Sequence, residues 1–289
     1  MHNVQAKGIL SASNGMNIYR GCLHGCIYCD SRSKCYNMQH DFEDIEVKVN
    51  APELLDLALR HKRHKCMICT GSMSDPYTPP EQKLMLTRKV LETIEKHGFG
   101  LSVLTKSDLI LRDLDLLKSI NSSAKCVVMM TMTTYDDDLC SIIEPGVCTT
   151  SRRFEVLTAM KEAGIPTVVW ISPILPFIND TPGNINGLLD YCIKAGVYGI
   201  VTFGPGVTMR EGDREYFYEK LDRHFPGIKQ KYIRKYGMSY ELISDRGDEL
   251  MDILTTRCRD NSIVCSSQKV FDYIRTFEEK TGGEQLSFF

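Results

Sequence analysis

The sequence predicts an α/β protein, a partial (β/α)6 barrel of parallel strands with a C-terminal helical extension. Three observations carry that reading. Six short apolar or β-branched runs alternate with stretches of helical periodicity. Some of those runs are continuously apolar, as in strands covered on both faces. The chain, at 289 residues, is also long enough for one such unit. Alternation of this kind builds right-handed βαβ units, and a barrel gathers its chemistry at the strand C-terminal ends.

Taken in order, Ser11 to Gly15 is a turn-rich lead-in, and Met16 to Tyr19 reads as the first strand. Pro52 to His64 is the first helix, with Pro52 near its first turn. Cys66 to Thr70 is a short apolar run, the second strand, and a helix follows over Glu81 to His97. Gly100 to Thr105 is the third strand, Leu109 to Ser119 a helix, and Cys126 to Thr134 the fourth strand. Ser151 to Ala163 is helical with a serine cap and closes at Gly164. Pro166 to Ser172 is the fifth strand, Ile185 to Lys194 a helix, and Gly199 to Phe203 the sixth strand. Beyond Pro205 the pattern turns helical, over Glu211 to Gly237, Glu249 to Arg259 and Ser267 to Lys280. The expected division is therefore a barrel over residues 1–210, an extension over 211–280 and a tail over 281–289.

Composition narrows the class. Hydrophobic content of 43% and charged content of 25% are those of an ordinary globular chain. A net charge of −2 gives no global attraction to nucleic acid. The N-terminus has no apolar core of a signal peptide, and no run approaches the length that spans a bilayer. Twelve cysteines in such a chain point to a reducing cytoplasmic setting and metal or redox chemistry rather than a disulfide framework.

Cys22, Cys26 and Cys29 stand at C-x3-C-x2-C spacing on a short loop with Gly21 and Gly25. Thiolates select zinc, copper(I) or iron–sulfur clusters. Structural zinc closes its shell with four protein ligands, whereas three cysteines on an iron–sulfur cube leave one iron open. Polar loops follow the later strands: T-G-S-M-S-D-P-Y from Thr70, T-K-S from Thr105, T-M-T-T-Y from Thr131 and S-P-I-L-P-F-I-N-D from Ser172. Small hydroxylated residues and glycine allow close backbone approach to an amino acid. Lys106 is placed to pair with a carboxylate.

These motifs, in this order, resemble the radical S-adenosylmethionine (radical SAM) proteins related to spore photoproduct lyase, over about Asn14 to Pro205. The resemblance implies a [4Fe–4S] cluster held by Cys22, Cys26 and Cys29, with S-adenosylmethionine on its fourth iron. Cleavage of that cofactor would yield a 5′-deoxyadenosyl radical, with electrons from a flavodoxin- or ferredoxin-like donor. Thr70, Gly71, Ser72 and Met73 match the loop that receives the amino group; Lys106 and Thr131 or Thr133 match carboxylate and ribose contacts. Two departures bear on the reaction. Ser72 stands where the lyase carries its hydrogen-donating cysteine, and Asp30 where it has a tyrosine. Tyr77, Tyr135 and Cys140 are the candidates for catalysis or radical relay.

Other features have plainer readings. Cys66 and Cys69 read as buried apolar thiols, Cys35 as structural, and His24 as a loop histidine near water. Tyr216 to Tyr240 holds six Lys/Arg, two Asp/Glu and seven aromatics, which suits either base stacking or an amphipathic helix packed on the barrel. Gln285 to Phe289, Q-L-S-F-F, resembles the motif that docks bacterial DNA-metabolism proteins on the sliding clamp. The function expected is radical SAM chemistry, with DNA lesions as the substrate reading. A small-molecule or peptide substrate is one alternative, and a zinc-containing, non-catalytic clamp adaptor is another.

Overall fold

The computed structural model describes residues 1–280. Its principal sheet has six parallel strands in sequential order: β1 (Gly15–Met16), β2 (Met67–Thr70), β3 (Gly100–Thr105), β4 (Cys126–Thr131), β5 (Thr167–Trp170) and β6 (Gly199–Val201). Sequential order with a helical crossover after each strand from β2 to β5 is the partial barrel that the alternation predicts. Residue parity then sorts the side chains. On β4, Cys126, Val128 and Met130 join the large outer core beneath the helices, while Val127 and Met129 face inward. Inward residues Met67, Val127 and Val168 meet Val270 and Ile274 of the helix Ser267–Arg275, which plugs the inner face.

Several boundaries differ from expectation, each for a local reason. The first strand is only two residues long; Tyr19–Arg20 leaves the sheet to pair antiparallel with Glu46–Lys48 in a second, three-stranded sheet. The helix expected over Glu81 to His97 breaks at Met85, which has φ +56°. Buried Glu81 causes the break, because its carboxylate accepts the amide protons of Leu86 and Thr87, each at 3.0 Å. β4 stops at Thr131 rather than Thr134, since Asn179 and Asn184 capture the Thr133 carbonyl at 2.7 and 3.1 Å. Thr149, not Ser151, caps the helix Thr150–Glu162. Pro226-Gly227 divides the long C-terminal helix into Asp213–His224 and Ile228–Tyr236.

Besides the second sheet, two strands are absent from the sequence-based reading. Gly206–Thr208 (β7) and Glu241–Ile243 (β8) form an antiparallel pair beyond the barrel. The aromatic residues between them pack inward: Phe217, Tyr218, Tyr232 and Tyr236 share a core with Cys26, Ile27 and Tyr28. The amphipathic reading of that stretch accounts for these four rings. The proposed docking residues Gln285 to Phe289 lie outside the described residues. No helix among the described residues is long and apolar enough to cross a membrane.

Candidate active site

The loop after Tyr19–Arg20 turns sharply at Gly21, whose φ is +89° and where a Cβ would stand 2.5 Å from the Phe42 carbonyl oxygen. Cys22, Cys26 and Cys29 then line one wall of a cavity of about 730 Å³ at the strand C-terminal ends. Gly71 and Ser72 line it from the loop after β2, Lys106 from the end of β3, Thr131 from β4 and Trp170 from β5. A further wall is Phe203 to Thr208 with Tyr240 to Ile243, the β7–β8 pair that sequence reasoning did not find.

Electrostatics favour one charged assembly. Burial pushes the Cys22 thiol up to about 12 and raises Cys26 as well. Ionising those sulfurs therefore calls for a compensating cation. Lys106 lines the same cavity: burial opposes its charge, yet Cys26 and Glu144 outweigh that and hold the ammonium above its ordinary range. All twelve cysteines are free of disulfides.

Asp75 fastens the site together. It accepts from the Thr105 hydroxyl at 2.7 Å, the Lys106 amide at 2.8 Å and the Tyr77 amide at 2.9 Å. Its carboxylate also lies 3.5 Å from His24 Nδ1. Ser74 donates to the Gly21 carbonyl at 2.8 Å, tying this loop to the cysteine loop. His24 is thus not a residue near bulk water; it is 3% exposed, because residues 144–147 cover it and the Gly146 amide donates to its carbonyl at 2.8 Å. Burial lowers its pKa.

Not every candidate from the sequence meets the cavity. Thr70 sits just beneath it, buried, with its hydroxyl oxygen unpartnered. Ser72 and Met73 are exposed on the rim. Thr133 is fully buried and does not line the cavity. Tyr77 lines a smaller pocket of about 440 Å³ behind His24. Tyr135 packs at a tilt against Tyr191, centroids 5.1 Å apart. Cys140 is buried, its sulfur 3.6 Å from Glu144 and 3.5 Å from Arg153. These last three sit near strand ends along the chain, but the loops carry their side chains away from the cavity.

Two roles were missed. Asp30, beside the third cysteine, accepts from the Tyr36 hydroxyl at 2.6 Å and pairs with Arg210 at 3.2 Å, and Arg210 in turn donates to the Tyr240 hydroxyl at 2.8 Å. That chain links the cysteine loop to the β7–β8 wall. Trp170, the single tryptophan, has a buried indole N–H with no partner among the described residues and an edge-on contact with Phe203 at 5.8 Å. A lone tryptophan at a strand end was the available signal.

The donor set fits a thiolate-bound cluster with an amino-acid ligand: three thiols on one wall, a lysine beside them and a glycine cradle. A Cβ on Gly71 would stand 1.9 Å from the Leu104 carbonyl oxygen. This combination of parallel partial barrel and strand-end cysteine loop defines a cluster-binding α/β enzyme class. The chain belongs to the radical SAM superfamily, whose family model matches residues 16–192, and with that family come its cofactors, a [4Fe–4S] cluster and S-adenosylmethionine. It is 30% identical over 227 residues to an uncharacterized protein of Mycobacterium tuberculosis, covering 76% of this chain and 66% of that protein. It is 38% identical over 167 residues to an uncharacterized protein of Methanocaldococcus jannaschii, covering 57% of this chain and 61% of the relative. The chain therefore spans slightly less than two thirds of these relatives. Among solved structures, a tyrosine-to-phenylalanine mutant of spore photoproduct lyase superposes with TM-score 0.64 at 15% identity, over 91% of this chain and 79% of the lyase. The lyase complexed with dinucleoside spore photoproduct gives 0.60 at 15% identity, over 86% and 74%. At that identity the likeness is one of fold.

Proposed function

We propose that this protein is a radical SAM enzyme of the photoproduct-lyase-like group acting on a nucleobase-bearing substrate such as a DNA lesion. The observation that carries the enzymatic reading is the gathering of three buried or half-buried thiols and Lys106 on one wall of a strand-end cavity. Residues 1–210 would form the catalytic body and 211–280 the extension that completes its wall, with free thiols suiting a reducing cytoplasm.

Cys22, Cys26 and Cys29 would hold the cluster. Lys106 would neutralise the carboxylate of S-adenosylmethionine, and Thr70 to Met73 would receive its amino group through close backbone approach. Thr131, whose residue lines the cavity, would meet the ribose; Thr133 is enclosed and less accessible. The chemistry that the cofactor pair supplies when bound is reductive sulfonium cleavage to a 5′-deoxyadenosyl radical. Trp170, Phe203 and Tyr240 would present ring surfaces to a planar substrate and exclude water from the inner face. Ser72 brings no weak S–H bond, so any hydrogen returned to a product radical would come from another group.

Reconstituted protein should carry iron and labile sulfide and release 5′-deoxyadenosine on reduction with S-adenosylmethionine, and Cys26→Ala should lose both. Retention of cleavage by that variant would refute the assignment. The rival reading, a small-molecule or peptide substrate, draws on Glu241 and Asp248, which line the same cavity and oppose a phosphate backbone. Competition between lesion-bearing oligonucleotides and metabolites in the deoxyadenosine assay separates the two.

A further inference from the structure

Glu144 and Arg153 are both 0% exposed, and neither lines the cavity or has a part in the chemistry above. Arg153 Nη1 lies 2.6 Å from Glu144 Oε2. The same guanidinium donates to the Thr131 carbonyl at 2.9 Å and the Cys148 carbonyl at 3.1 Å. The other Glu144 oxygen accepts the hydroxyl of Tyr28, which stands between Cys26 and Cys29. A buried charge pair thus joins the end of β4 to the middle of the cysteine loop.

The backbone makes the same connection twice. The Ile27 amide donates to the Ile143 carbonyl at 3.0 Å, and the Gly146 amide to the His24 carbonyl at 2.8 Å. A Cβ at Gly146 would stand 2.7 Å from the carbonyl oxygens of Leu23 and His24, so the two loops approach this closely only through glycine. Residues 143–148 therefore grip residues 23–28 from outside. An apolar pair of the same volume is often as stable as a buried ion pair, so stability alone does not account for charge at this position. Its position does: through the Tyr28 hydroxyl Glu144 meets the loop between Cys26 and Cys29, in an interior where charges are weakly screened.

We propose that Glu144 and Arg153 are positioning residues for the three-cysteine loop, and that their opposed charges bias the reduction potential of the cluster it holds. This rests on the cluster assignment, which fails separately if the wild-type protein binds no iron and labile sulfide. A carboxylate near the cluster disfavours added negative charge, and a guanidinium favours it. In reconstituted protein, redox titration should move the midpoint to more positive potential in Glu144→Gln and to more negative potential in Arg153→Met. The double variant, which leaves no unpaired buried charge, should return toward the wild-type value. Tyr28→Phe keeps both charges and removes one charge-assisted hydrogen bond. It should leave the midpoint in place but release iron to a chelator about tenfold faster. Shifts of the same sign in the two single variants, or none, overturn the electrostatic role. Wild-type iron release from Tyr28→Phe overturns the positioning role. Where a single charge variant loads no cluster, the double variant and Tyr28→Phe decide: a double variant far from the wild-type midpoint overturns the bias.

Discussion

Gly71 has φ +99°, and its missing side chain leaves room for the Leu104 carbonyl. Gly71→Ala combines backbone strain with direct overlap, so the apo-protein should lose about 2–4 kcal/mol of stability. Denaturant unfolding measures this, and a change below about 0.5 kcal/mol, ordinary for a surface substitution, would contradict the cradle. That Gly71, Lys106 and the three cysteines meet at one cavity was legible because each stands on a loop that follows a strand. The placement of His24, Asp75 and Trp170 was not. Nothing local to L-H-G tells that Glu144, Pro145 and Gly146, over a hundred residues later, will cover the histidine. The phenols of Tyr77 and Tyr135 show the converse, since nearness along the chain to a strand end does not set the direction of a side chain.

The helix Asp213–His224 begins with a buried acid that faces the cysteine loop's own acid. Asp213 accepts the Arg210 amide at 2.7 Å, but its second carboxylate oxygen is buried without a partner among the described residues. Burial pushes its pKa up to about 6, with nearby Asp30 adding to the rise. An unfolded aspartate ionises near pH ~4, so the folded state holds the extra proton between those values. Stability should therefore fall as pH rises from about 4 to about 6, by roughly 2 kcal/mol. Asp213→Asn should flatten that slope in thermal melts, and an unchanged slope would assign it to other groups. Strands were readable at this scale wherever burial on both faces produced an apolar run, as over Cys126 to Thr131. They were unreadable at β7 and β8, three residues each, where pairing across more than thirty residues supplies the order that local propensity does not. The break at Met85 has the same origin, a cap provided by a buried glutamate that the helical periodicity does not mark.

For the molecule as a whole, a net charge of −2 leaves any attraction to DNA to a local surface or a docked partner. If Q-L-S-F-F is such a docking segment, removing Gln285 to Phe289 should abolish binding to a bacterial sliding clamp and leave cofactor cleavage intact. Unchanged clamp binding in a pull-down or by calorimetry would discard it. The residues beyond Pro205 have a firmer place in the architecture. Arg210 joins Asp30 to Tyr240, β7 and β8 form one wall of the cavity, and Phe271 backs Trp170 at 5.9 Å while the helix that carries it plugs the inner face. Synthesis runs from the N-terminus, so the three cysteines emerge from the ribosome more than two hundred residues before Tyr240 and Phe271 do. A nascent chain holds the three thiols long before it holds the enclosure. The finished cavity is a late event in the life of the polypeptide.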